Sequence, residues 1–112
     1  MNKLKLTILA VIASIFANNA SAFDPDDLQK LKDTNECVEC DLSSAYLMEA
    51  DLKGADLSKA DLSKANLKGA YLKGADLSGA NLSGASMDYA IMNGAILCNT
   101  TMPNGSIIYS GC

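Results

Sequence analysis

Between Gly54 and Ala70 the chain reads GADLSKADLSKANLKGA, with alanine at 55, 60, 65 and 70 and leucine two places after each of the first three. The same spacing runs from Cys40 to Asn99, which divides into the units CDLSS, AYLME, ADLKG, ADLSK, ADLSK, ANLKG, AYLKG, ADLSG, ANLSG, ASMDY, AIMNG and AILCN. The first position is Ala in 11 of these 12 units, and the third is Leu or Met in all 12. TTMPN, residues 100–104, is a degenerate thirteenth. Internal repetition this regular decides the fold before any other feature.

A period of five matches neither regular element. On an α-helix five residues advance ~500°, or ~140° past a full turn, so the leucines would smear around the cylinder. On a flat strand side chains alternate with period two, so an odd repeat sends successive leucines to opposite faces. Only a chain that bends once per unit can aim every leucine at one axis. The alanine two places earlier then points inward as well, and the other three positions face out or form the corner. Glycine closes six units (Gly54, Gly69, Gly74, Gly79, Gly84 and Gly94), as a corner with positive φ favours. Ser44, Glu49, Lys59, Lys64 and Tyr89 stand at other corners, so glycine is preferred there and not essential.

Stacked coils should repeat the same residue at the coil length. Among the fourth positions, residues 43 to 98, identities at a lag of 20 number four in eight pairs, against three in nine at 15, one in seven at 25 and none in ten at 10. The count leans towards four sides per coil. The A(D/N)LxG units resemble the pentapeptide-repeat family over residues 40–99. The resemblance implies an all-β solenoid, a right-handed quadrilateral β-helix with four units per coil, whose interior is filled by the first and third residue of each unit. The tail CNTTMPNGSIIYSGC, Cys98 to Cys112, resembles the ending of exported bacterial members. Twelve units then make about three coils. The expected core columns are Leu42, Leu62 and Leu82; Leu47, Leu67 and Met87; Leu52, Leu72 and Met92; and Leu57, Leu77 and Leu97.

An open β-helix ends in unpaired backbone and a bare core, so its ends need caps. At the N-terminal side, residues 23–39 form the expected capping segment. FDPDDLQKLKDTNE (residues 23–36) reads as a short helix, with Asp24 as cap, Pro25 in its first position and Leu28 and Leu31 as its apolar stripe. Before it, residues 1–22 read as a cleaved export signal: Lys3 and Lys5, then the uncharged run Leu6 to Ala17, then NNASA with Ala20 and Ala22 placed for cleavage. Export places the four cysteines in an oxidising compartment, where an even count reads as disulfides. On the four-sided arrangement that the resemblance implies, Cys37 falls under Leu57 and Cys40 under Ala60, both inward at the base. Cys98 and Cys112 bracket the C-terminal cap, residues 100–112. Cys37–Cys40 and Cys98–Cys112 are therefore the expected pairs. The second should hold Met102, Ile107, Ile108 or Tyr109 over the open end.

Composition removes chemistry rather than adding it. The 112 residues include no His, Trp or Arg, so the commonest general base and metal ligand is missing. Loss of Lys3 and Lys5 with the signal leaves 7 lysines against 13 acids, a net charge of −6 that argues against direct binding of nucleic acid. Cys37-Val-Glu-Cys40 matches the CxxC redox motif, which needs a βαβ context that this chain lacks. A zinc site would need four convergent sulfurs, and the two pairs are expected at opposite ends. Asp41, Asp51, Asp56, Asp61 and Asp76 at second positions read as a solvated face, with no calcium-ligand spacing. Tyr71, Tyr89, Ile91 and Ile96 are the candidate interaction patch on an upper coil that is more apolar outside than the lower two. No catalytic, metal or cofactor residue is expected.

The leading expectation is a non-enzymatic exported scaffold or protein-interaction module. It has no membrane association after signal cleavage, and it self-associates at most weakly, through an end of the solenoid. The alternative is a regulator that mimics DNA and binds type II topoisomerase, as some family members do. Its short length, its export signal and repeats carrying seven acids against five lysines depart from that pattern.

Overall fold

A computed structural model describes residues 23–112. The export signal read at residues 1–22 lies outside the described residues. The chain opens with α1, Pro25–Thr34. The Asp24 carboxylate accepts from the Asp26 N–H at 2.8 Å, Pro25 needs no N–H partner in the first turn, and Asp26 and Asp27 face the helix dipole favourably. The helix stops at Asn35, which takes a left-handed φ of 61° and donates its N–H to the Leu31 carbonyl at 2.9 Å. Leu31 is 2 % exposed against the base of the repeats, with Leu28 and Phe23 half-buried beside it.

The repeats stack with a lag of 20 residues. Parallel bridges join Asp41 to Asp61, Tyr46 to Asn66, Asp51 to Tyr71 and Asp56 to Asp76, and continue in the same steps from Glu36 up to Thr101. One unit shows how five residues satisfy five backbone donors. Asn66 N–H donates down to the Ala45 carbonyl (2.9 Å), Leu67 N–H donates up to Ser86 (2.7 Å), and Gly69 N–H donates up to Asp88 (2.8 Å). Lys68 N–H goes to the side-chain Oδ1 of Asn66 at 3.2 Å. Ala70 N–H turns back to the Leu67 carbonyl at 3.0 Å and closes the corner. That last bond spans Lys68 and Gly69 as the two central residues of a β-turn. Gly69 has φ 69°, as the third residue of a type II turn requires. Every fifth position from Glu39 to Asn99 repeats it, with φ between 55° and 73°.

The ladders are bridges rather than strands. The only named strands among the described residues are β1, Thr100–Thr101, and β2, Ile107–Ile108, paired antiparallel with Thr101 opposite Ile107. The reason is the corner. On each side the second-position residue bonds the coil below through its N–H and carbonyl, and the residues flanking it bond the coil above, before the chain turns again. A five-residue side is too short for a longer run.

Inside, Leu42, Leu57, Leu62, Leu67, Leu72, Leu77 and Leu82 are fully buried, and Leu47 and Leu52 are nearly so. Alanine at 55, 65, 70 and 75 is also fully buried, which lets the leucines of four sides meet at the axis. The last third positions differ from the expected core. Met87, Met92 and Leu97 are only half-buried, because no further coil stands above them. Leu67→Lys would place an ammonium group among packed leucines and should abolish the folded circular dichroism signal. Lys68→Leu, one residue along and exposed, should shift the melting midpoint by less than ~0.5 kcal/mol equivalent.

Candidate functional site

The outer surface is built from four columns of second positions. One holds Asp41, Asp61, Asn81 and Thr101, and the next holds Tyr46, Asn66 and Ser86. The third holds Asp51, Tyr71 and Ile91, and the last holds Glu36, Asp56, Asp76 and Ile96. Like charges therefore stack at Asp41 over Asp61 and along Glu36, Asp56 and Asp76. These carboxylates are not merely solvated. Asp56 Oδ1 accepts the Ser58 N–H at 3.1 Å and the Ser58 hydroxyl at 2.7 Å. Asp41 and Asp61 hold Ser43 and Ser63 in the same way, and Asp76 accepts the Ser78 N–H at 2.9 Å. Each acid caps the one backbone donor that the ladder leaves over, which is why asparagine substitutes at 66 and 81. Reading these acids as a solvated face missed that task. The available signal was serine two places after the acid at 43, 58, 63 and 78.

The Ser58 hydroxyl, and then its N–H, hold the Asp56 carboxyl below its ordinary range, against a smaller opposing effect of burial. A depressed folded-state value stabilises the fold fully above the unfolded value of ~3.9 and loses that contribution as pH falls through the lower folded value. Asp56→Asn keeps the acceptor and removes the titration. Its melting temperature at neutral pH should be no higher than the parent's, and its decline as pH falls below ~3.9 should be shallower. An unchanged acid limb would contradict the assignment.

At the upper coil, Tyr71 (47 % exposed) bridges to Ile91 (41 %), with Ile96 on the next side (40 %). Tyr89 stands at the corner between the Ser86 and Ile91 sides, 84 % exposed and with φ 62°. Ile91 and Ile96 thus lie on adjoining sides of the last coil, Tyr89 at the far corner of the Ile91 side, and Tyr71 one coil below Ile91. At the other end a cleft of about 350 Å³ separates α1 from the first coil, lined by Leu31, Lys32, Asn35, Tyr46, Met48 and Asp51 among others.

Both ends carry a disulfide. Cys37 and Cys40 are joined with Cα atoms 5.3 Å apart, and their side chains are enclosed at 0 % and 3 % exposure. Cys98 joins Cys112, an exposed residue, across a separation of 14. The enclosed pair stands among the core residues under the first full coil, where no exchange partner can reach it. The outer pair ties the tail down. Gly111 donates to the Leu97 carbonyl at 3.2 Å, and a Cβ there would lie 2.8 Å from the Leu97 nitrogen, so only glycine fits. Met102 packs against the core, Ile108 is half-buried, and Ile107 and Tyr109 remain exposed. Under mild native reduction with an alkylating agent, Cys98 and Cys112 should label first, with a loss of ~3 kcal/mol in the chain-entropy account. Cys37 and Cys40 should label only on unfolding. Simultaneous labelling would contradict the enclosure of the first pair.

A closed stack of five-residue units, each turning one left-handed corner and pairing with the unit four places on, defines a repeat solenoid. The chain belongs to the pentapeptide-repeat family, whose profile (Pentapeptide repeats, 8 copies) matches residues 36–63 and 65–102. Among solved structures it is similar to HetL, a pentapeptide repeat protein involved in heterocyst differentiation regulation from Nostoc sp. strain PCC 7120. The identity is 36 %, over 65 % of this chain and 38 % of that one, with a TM-score of 0.36. A second pentapeptide repeat protein, alr5209 from Nostoc PCC 7120, is 29 % identical over 71 % of this chain and 79 % of that one, with a TM-score of 0.29. The chain spans well under half the length of HetL. Among curated proteins, none matches.

Proposed function

We propose that the chain is a non-enzymatic, exported scaffold that presents its outer surface to a protein partner in the periplasm or outside the cell. Its body is a right-handed quadrilateral β-helix of about three coils, as family membership implies. The observation that carries the reading is Tyr89. It occupies a left-handed corner where six other units use glycine, and it is 84 % exposed. A left-handed non-glycine residue costs ~1–2 kcal/mol, and exposed packing recovers little of it. Strain kept in an exposed aromatic residue at the corner of the side that carries Tyr71 and Ile91 supports a binding role for this patch. Export is supported by the basic, apolar and small-residue sequence of residues 1–22, and by two disulfides, which persist in oxidising compartments. The topoisomerase-mimic reading gains nothing from the charge pattern, because residues 77–112 contain a single acid, Asp88.

Tyr89→Gly separates folding from function. Relief of the corner, less the ~0.5–1 kcal/mol entropy of glycine, should raise the melting temperature by a few degrees. Cross-linking of the chain in its native compartment should meanwhile lose the partner captured by the parent. A variant that is no more stable, or that keeps the partner, would contradict the reading. Recovery of the chain uncleaved in the cytoplasm would contradict export.

A further inference from the structure

All nine third positions from Leu42 to Leu82 are leucine, whereas three of the next four, Met87, Met92 and Met102, are methionine. The bridges set Ser86 over Asn66, Ile91 over Tyr71 and Thr101 over Asn81. Met87 therefore stands above Leu67, Met92 above Leu72 and Met102 above Leu82. All three pack against the core and are half-buried, so they face the axis as the leucines do and solvent still reaches them. Their backbones are fixed. Ala90 N–H bonds the Met87 carbonyl and Ala95 N–H the Met92 carbonyl, both at 3.0 Å. Met102 N–H donates to the Ser106 carbonyl at 2.7 Å, and its own carbonyl accepts from Gly105 at 2.8 Å. Filling gaps is the ordinary task of methionine in a core. An edge coil does not by itself demand it, because Leu47 and Leu52, which line the cleft at the base, are leucine.

We propose that the thioethers of Met87, Met92 and Met102 form a binding site for one Cu(I) ion at the upper end of the core. The sulfur of methionine lies as many bonds from Cα as the terminal methyls of leucine. In the turn below, Leu67, Leu72 and Leu82 are fully buried and meet at the axis, where apolar groups in contact stand ~4.0–4.5 Å apart. Sulfurs set at the level of those methyls have the same spacing. Three sulfurs ~4 Å apart surround a point ~2.3 Å from each, which is the length of a metal–sulfur bond. The three rotatable bonds of each methionine allow the final adjustment. Leu97, the remaining residue of this turn, is on the side that the tail crosses, where Gly111 N–H bonds its carbonyl.

The donor set identifies the ion. The chain has no His, and all four cysteines are in disulfides, so thioethers are its soft donors. Thioether sulfur selects Cu(I), whereas calcium and magnesium take oxygen ligands and zinc takes thiolate, imidazole or carboxylate. Three neutral ligands also cannot offset a divalent charge in a half-buried place. Residues 77–112 hold one charged side chain, Asp88, beside Met87 in sequence, which matches a single positive charge. Cysteine spacing and acid pairs excluded other metal centres and have no bearing on this one. The inference goes beyond the scaffold reading and can fail while that reading stands.

Silver(I) has the charge and softness of Cu(I) without its redox chemistry, and is the first probe. Silver nitrate is titrated in chloride-free buffer into the folded chain, disulfides intact, with its methionine methyls labelled for NMR. The resonances of Met87, Met92 and Met102 should shift together and saturate at one equivalent. Met48, 50 % exposed at a fourth position of the first coil, should not move. Cu(I) supplied as its bicinchoninate complex without oxygen should give the same pattern. Met87→Leu, Met92→Leu and Met102→Leu should each weaken silver binding by ~10-fold or more. Each should keep the parent circular dichroism, since leucine fills the same position in the coils below. Shifts of Met48 at the same silver concentrations, or no saturation at one equivalent, would overturn the site. So would leucine variants that bind as the parent does, and a response to silver without one to Cu(I) would overturn the ion. If the variants do not fold, the parent titration decides: joint saturation of the three methyls with Met48 unmoved supports the site, and any other pattern overturns it.

Discussion

The left-handed corner at every fifth residue is the constraint on which this molecule depends. A turn closed from the third-position carbonyl to the next first-position N–H redirects the chain. It keeps each leucine on one axis and leaves the second, third and fifth N–H groups pointing along the stack. The remaining donor, at the fourth position, is met by the side chain of the second. The motif follows from these demands. Alanine is small enough to sit beside the axis, Asp or Asn reaches two residues forward, leucine fills the interior, and glycine accepts positive φ without strain.

The same geometry assigns cost and use to each departure from the motif. Lys59 and Lys64 take the left-handed corner but lie beneath Gly79 and Gly84 of the next coil, where their chains gain contact. Tyr89 takes the same conformation with nothing above it. Tyr71, Ile91 and Ile96 give up the second-position cap and expose apolar surface in return. These departures gather towards the C-terminal end, where charge also disappears. The middle of the stack serves folding, and the proposed recognition surface lies where residues differ from the repeat.

Much of this was legible in the residues because the repeat is short and strict. The inward leucines and the corner glycines follow from spacing alone, and the lag count leans towards 20 residues per coil. The resemblance to a known family added the four-sided shape, and with it the positions of the cysteines. The task of Asp41, Asp56, Asp61 and Asp76 was not read, because an acid beside a serine on an exposed side looks like ordinary solvated polarity. The partial burial of Met87, Met92 and Leu97 was not read either. It depends on how far the tail reaches, and no periodicity remains after Asn99 to say where it goes. The bridges in place of strands reflect the short side, a consequence of the corner rather than of residue propensity.

Residue-resolved amide hydrogen exchange tests the central claim most directly. The account predicts slow exchange at the third and fifth positions of the inner units, including Leu57, Leu62, Leu67 and Gly69. Exchange should be distinctly faster at Lys68 and Ser58, whose N–H groups are held only by side chains. Tyr46 and Asp51, at the bare edge of the first coil, should be faster still. Equal protection of Leu67 and Lys68, or fast exchange at Leu67 in a folded chain, would contradict a stack in which each unit turns one corner and pairs with the fourth unit beyond it.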